Sequence, residues 1–184
     1  MPTVSTPNAR SRFAVGAALA LVVAFAPACS GTANGLPRTV SEASGRAPSV
    51  AGPAINGDLP NLGGKVLVVN FWNPYCPPCR VEEPVLERAH RGLAGRGVVV
   101  LGIHYTGGQW PTSVGDARSF LRAAGATYPV VGDPEGRLAS GFGIRAIPST
   151  VIVDAHGEMR FRVLGRLRTE VLDDLVGRVL SARS

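Results

Sequence analysis

The chain has 184 residues, three of them cysteine, and a formal net charge of +6 carried almost wholly by arginine, with Lys65 the only lysine. Once a leader and a tether are set aside, about 135 residues remain, enough for one ordinary domain with a real core. The basic residues are scattered and no aromatic-interleaved basic stripe is present, which argues against nucleic-acid binding.

Residues 1–28 read as an export signal. Arg10 and Arg12 precede an apolar stretch from Phe13 to Phe25 that is too short for a confident membrane span. It closes at Ala26-Pro27-Ala28-Cys29, which also reads as an A-x-A cleavage site that would leave Cys29 as an odd free thiol. An uncleaved signal anchor is a third option, and Arg10-Ser11-Arg12 lacks the adjacent arginines of twin-arginine export. No acid lies in the leader, so its loss lowers the net charge from +6 to +4. Residues 30–49 are rich in Ser, Gly, Thr, Pro and Ala without an apolar period, and predict a flexible tether. Every variant places the folded domain, residues 50–184, outside the cytoplasm, where a dithiol meets oxidising chemistry.

Within that domain a weak strand or hairpin is expected at residues 50–55, with Asn56-Gly57 as a turn. Lys65 to Trp72 is an apolar, β-branched run of strand length. Asn73-Pro74-Tyr75 interrupts it, and Cys76-Pro77-Pro78-Cys79 opens a helix over residues 76–94 whose Val81, Val85, Leu86, Ala89 and Leu93 recur at near-helical spacing. A strand at 98–103, a helix at 114–124, a short strand at 128–131 and a helical turn at 135–141 follow. Strands at 150–154 and 159–164, joined by a turn at Asp154-Ala155-His156-Gly157, precede a final helix at 169–180. Strand–helix alternation implies parallel pairing and the closing hairpin adds antiparallel strands, so the expected fold class is α/β with a mixed central sheet flanked by helices.

The chemistry-bearing motif is Cys76-Pro77-Pro78-Cys79. Both thiols fall on the first turn of a helix, where unpaired amides and the helix dipole favour a thiolate on Cys76 and Cys79 is in reach to displace a mixed disulfide. A zinc site would need a second CxxC or a His pair, and the remaining cysteine, Cys29, is far upstream. Cys76 is expected to be exposed and Cys79 shielded, since the helix end projects from the sheet while its next turn packs inward. Pro84 removes a helical hydrogen bond to Arg80. Glu82, one turn beyond Cys79, is either a proton-exchanging group or a solvated surface residue like Glu83 and Glu87. His90, His104 and His156 share no metal-ligand spacing.

Taken together, Val68-Val69-Asn70-Phe71-Trp72, the CPPC motif with Arg80, Glu82 and Pro84 at their spacing, Ile147-Pro148-Ser149-Thr150 and Asp154-Ala155-His156-Gly157-Glu158 resemble the extracytoplasmic thioredoxin-fold proteins of the TlpA/ResA type, the redoxin or DsbE-like group. The likeness covers residues 50–182. It implies a thioredoxin-like fold with an N-terminal strand or hairpin extension, a cis Pro148 in a loop facing the dithiol, and substrate contacts from Tyr75, Ile147 and Pro148. It also implies a proton-exchanging role for Glu82, because Asn70 stands where cytoplasmic thioredoxins carry a buried Asp. Tyr75 departs from the Trp usual in that group, which bears on substrate contact. The end of the leader is similar to a bacterial lipoprotein signal, implying lipidation of Cys29 and a membrane anchor.

The activity implied is thiol–disulfide exchange without an organic cofactor or metal. Its partners would be protein thiols and disulfides, apocytochrome c among them, with a membrane thiol transporter as electron donor. Oxidative disulfide formation is the alternative direction. A copper-delivery protein of the Sco type would carry CxxxC and a distant His, a peroxiredoxin would carry Thr-x-x-Cys, and a scaffolding lipoprotein would show no thiol exchange. The loop from Gly107 to Pro111 is a candidate for partner recognition.

Overall fold

The computed structural model describes residues 39–107 and 111–182, all within the unit Ala33–Ser184. The leader, Cys29 and most of the Gly107–Pro111 loop lie outside the described residues. The strand β3 (Val66–Trp72) is buried at all seven positions, as a run apolar toward both faces demands, and it occupies the middle of the sheet. The helix α1 (Pro77–Leu93) returns the chain to β4 (Val98–Tyr105), parallel to β3, and α2 (Val114–Ala124) returns it to β5 (Val130–Asp133), parallel to β4. Two parallel crossovers in one direction put α1 and α2 on the same face of the sheet. Asn70 and Trp72 point to that face, meeting Glu82 of α1 and Phe120 of α2, whereas Phe71 points to the other and packs on Phe142 at 5.4 Å.

The chain then turns through the short helix α3 (Arg137–Gly141), whose first amides, Leu138 N and Ala139 N, donate to the Asp133 carboxylate at 3.1 and 2.8 Å. The antiparallel hairpin β6 (Ser149–Val153) and β7 (Met159–Leu164) follows, β6 pairing with β3, and α4 (Thr169–Ser181) closes the fold. Asp154 and Gly157 make the hairpin turn, with Gly157 at φ 83°. Among the described residues no helix is long and apolar enough to cross a membrane.

Three departures from the sequence expectations have physical causes. The stretch expected to be tether through residue 49 contains β1 (Thr39–Glu42), which pairs antiparallel with β7 from Thr39↔Leu164 to Glu42↔Phe161. Its four side chains are exposed, so it has no apolar pattern; what holds it is the open backbone edge of β7. The expected strand at 50–55 is the three-residue β2 (Ala54–Asn56), paired with β5. With β1 at one edge of the seven-stranded sheet, order β1-β7-β6-β3-β4-β5-β2, and β2 at the other, the N-terminal extension is two separate edge strands and not a hairpin. On α1 the buried face is rotated from the apolar set read in the sequence: Val81 is 57% exposed, while Glu82, Glu83 and Glu87 are buried.

Candidate active site

Asn73-Pro74-Tyr75 turns the chain out of β3 and into α1, and its polar groups hold that turn. Asn73 Nδ2 donates to Tyr105 O at 3.1 Å, Tyr75 N donates to Asn73 Oδ1 at 2.8 Å, and Cys76 N donates to Asn73 O at 3.1 Å. Arg80 reaches back from α1 to Pro74 O at 3.1 Å, and its guanidinium lies 4.9 Å from the Phe120 ring centroid. Cys76 is the N-cap of α1 in extended conformation, with Pro77 and Pro78 as the first helical residues. Prolines suit those positions because they preset φ and their missing amides have no helical partner. Cys76 and Cys79 form a disulfide, their Cα atoms 5.3 Å apart, and Cys79 N donates to Cys76 Sγ at 3.3 Å.

In this disulfide form Cys76 is 0% exposed and Cys79 3%, so the expectation of an exposed Cys76 does not hold. The Cys76 sulfur lies against the first turn of the helix, where it accepts from the Cys79 amide. The side chain that projects is Tyr75, 51% exposed. A hydrogen bond from its hydroxyl to Asp116 pushes the phenol pKa up. Asp116 belongs to the capping box of α2 with Ser113, so the aromatic at the mouth of the site is referenced to a second helix.

Ile147–Pro148 is a cis peptide bond. Ser149 pairs with Phe71 at the end of β3 that leads into the dithiol, which puts the Ile147–Pro148 loop at the same end of the sheet as Cys76. Ser149 Oγ donates to Ala146 O at 2.7 Å, Gly165 N donates to Pro148 O at 2.9 Å, and Ile147 is buried.

Glu82 is not a surface residue. It is 1% exposed, and its two oxygens accept from Asn70 Nδ2 at 2.8 Å and from Leu167 N at 2.6 Å. Burial pushes its carboxyl up to about 7, although both hydrogen bonds and the charge of Arg166 pull the other way. Asn70 Nδ2 also donates to Thr150 Oγ1 at 3.0 Å, so one carboxylate ties α1 to β3, β6 and the entry to α4.

Glu83 and Glu87, expected to be solvated, are buried as well. Burial and the repulsion of Glu87 push Glu83 up to about 7. Glu87 accepts from Thr127 N and Thr127 Oγ1 at 2.7 and 2.6 Å and pairs with Arg91 at 2.5 Å. Burial alone would raise Glu87, but those bonds hold it below the usual carboxylate range. The signal that could have found them is their spacing of four from Cys79, which puts Cys79, Glu83 and Glu87 on one stripe of the helix. His104 is fully buried, its ring 5.7 Å from Trp72, and burial pushes it down to about 4.

A family model described as the AhpC/TSA family matches residues 46–162. The chain belongs to that family. It is 32% identical over 119 residues to the thiol:disulfide interchange protein HelX of Rhodobacter capsulatus, covering 64% of this chain and 62% of that protein. It is 29% identical over 102 residues to the thiol-disulfide oxidoreductase ResA of Halalkalibacterium halodurans, covering 55% of each. The chain thus spans less than two thirds of the length of these curated relatives. Among solved structures, a thiol-disulfide isomerase from Corynebacterium glutamicum superposes with a TM-score of 0.63 at 27% identity, over 73% of this chain and 97% of that one. A DsbF homologue from Corynebacterium diphtheriae superposes with a TM-score of 0.61 at 25% identity, over 81% and 95%. The fold is therefore thioredoxin-like, as the motifs implied.

Proposed function

We propose that this chain is a thiol–disulfide oxidoreductase that works outside the cytoplasm, anchored to the membrane through a lipid on Cys29, and that it reduces disulfides in protein substrates. The observation that carries the redox reading is the Cys76–Cys79 disulfide at the proline-capped N-terminus of α1, at the same end of the sheet as the cis Ile147–Pro148 loop. In the reducing direction the Cys76 thiolate attacks a substrate disulfide and the first substrate thiolate leaves. Cys79 then gives up its proton and attacks Cys76 Sγ, the mixed disulfide breaks, and the second substrate thiolate leaves with that electron pair. Glu82, buried one turn from Cys79, exchanges a proton with the resolving thiol. Tyr75, Ile147 and Pro148 contact the substrate chain. The donor that restores the dithiol is a membrane thiol transporter, and apocytochrome c is the substrate class the resemblance favours.

The capping geometry supports the reducing direction. Pro77 and Pro78 have no amide hydrogen, so within the motif the Cys79 amide alone supports a thiolate on Cys76. A weakly supported thiolate makes the reduced form less stable relative to the disulfide, and the couple more reducing. Equilibration with glutathione buffers should place the potential nearer thioredoxin, about −270 mV, than DsbA, about −120 mV. A value close to the latter would turn the reading to disulfide formation. Mass spectrometry of the mature N-terminus tests the anchor: a free Cys29 thiol would mean ordinary signal cleavage.

A further inference from the structure

Cys79, Glu83, Glu87 and Arg91 follow one another at intervals of four residues along α1. Residues at that spacing stack on one face of a helix, roughly 5–6 Å apart at Cβ, with long side chains leaning toward the N-terminus. Glu83 is therefore one turn from Cys79, and Glu87 one turn from Glu83. The first three are buried at 3, 4 and 9% exposure, and the file ends in solvent at Arg91, whose side chain is 65% exposed.

The two adjacent acids differ in what their oxygens do. Both oxygens of Glu82 are committed, one to Asn70 and one to Leu167 N. Glu83 Oε1 is buried with no hydrogen-bond partner among the described residues. Tyr128, the phenol on which Glu83 acts most strongly among the acids, is fully buried in front of β5 with His90 edge-on at 6.4 Å. The ionisable groups tied to Glu83 are Glu87, which acts on it directly, and Tyr128 before β5, on which Glu82 also acts; His90 stands edge-on to that phenol and Arg166 acts on Glu82 from the entry to α4. A buried carboxyl oxygen without a hydrogen bond is costly, and such a group in a folded protein calls for a specific account.

We propose that Glu83 is a second proton-exchanging group for Cys79. The inference rests on the oxidoreductase reading. When a mixed disulfide on Cys76 is resolved, the Cys79 S–H bond breaks and its proton passes to the Glu83 carboxylate. The sulfur electron pair forms the bond to Cys76 Sγ, the Cys76–substrate bond breaks, and the substrate leaves as a thiolate. Glu83 then releases its proton to solvent. In the reverse direction Glu83, protonated, supplies the proton that the departing Cys79 thiolate takes up.

The test is stopped-flow release of the second thionitrobenzoate on mixing reduced protein with dithiobis(nitrobenzoate), followed from pH 5 to pH 9. In the unsubstituted protein the resolution rate should rise through an inflection near pH 7. Glu83→Gln should slow resolution at pH 7 at least about tenfold, and the weaker inflection that remains should be the one Glu82 carries. The slowing is less than the ~10²–10⁴-fold of a sole acid–base group, because Glu82 remains. Glu82→Gln should slow resolution as well, and an inflection carried by Glu83 should remain. An unaltered profile in Glu83→Gln, or loss of the inflection in Glu82→Gln alone, overturns the proposal. If the unsubstituted protein exchanges no disulfide, the functional reading falls and this inference with it. A wild-type measurement removes dependence on a variant's folding: the Glu83 carboxyl carbon resonance of the reduced protein should show a second inflection where Cys79 ionises, absent in Cys79→Ser. A single inflection in both would overturn the assignment.

Discussion

Glu82→Gln should remove about 3 kcal/mol of pH-dependent destabilisation from the oxidised protein. The carboxyl sits at about 7 in the folded state against an ordinary 4.5, and about 1.4 kcal/mol for each pH unit of that interval yields this figure. Below pH 4.5 the group is protonated folded and unfolded, and contributes nothing. Between pH 4.5 and about 7 the unfolded chain ionises while the folded one holds its proton, so stability falls as pH rises; above 7 the penalty is complete. Gln stays neutral throughout and lacks this loss. It brings a different, pH-independent cost of about 1–3 kcal/mol, because its NH₂ must face one of two donors, Asn70 Nδ2 or Leu167 N.

His104 works with the opposite sign. Its folded value near 4 lies below the ordinary 6.5, so stability rises with pH through that window, and Glu83 adds a loss of the same sense as Glu82. Neither changes in the variant, so the quantity to read is the difference between the two proteins. Urea unfolding of the disulfide form at pH 4.5, 6 and 8 measures it, provided the slopes agree. The variant should gain about 3 kcal/mol on the parent between the first and last pH. A difference constant to within about 0.5 kcal/mol would refute the argument that burial governs this carboxyl.

Gly102→Ala would set a methyl 2.9 Å from Trp72 Nε1 and from Val130 Cγ2, and should cost ~1–3 kcal/mol with a shift in tryptophan fluorescence. Asp133→Ala removes the acceptor for two amides of α3 and should lower stability by ~1–2 kcal/mol, read from the urea midpoint. Tyr75→Ala leaves the core untouched, so stability should change by less than ~0.5 kcal/mol while the KM for a protein disulfide rises. An unchanged KM would remove Tyr75 from the substrate contacts. Cys79→Ser should accumulate mixed disulfides on Cys76, visible by non-reducing electrophoresis, and Cys76→Ser should form none.

The parts legible in the sequence are those governed by neighbours along the chain. The run from Val66 to Trp72 demands a central strand because it is apolar on both faces, and two prolines after Cys76 mark a helix start because they fit only its first turn. Met159–Leu164 and its turn at Asp154 were readable for the same reason. Packing between distant segments decided the rest. The side of α1 that is buried depends on where Asn70, Tyr128 and Leu167 arrive. Apolar spacing alone therefore favoured Val81, which is exposed, over Glu83 and Glu87, which are not. Thr39–Glu42 carries no apolar pattern, yet it becomes a strand because β7, more than a hundred residues later, offers it an unpaired edge. The dithiol motif was local and could be read directly. Whether its sulfurs meet water, and which carboxyls of α1 are buried along with them, depends on how α1 sits against the sheet.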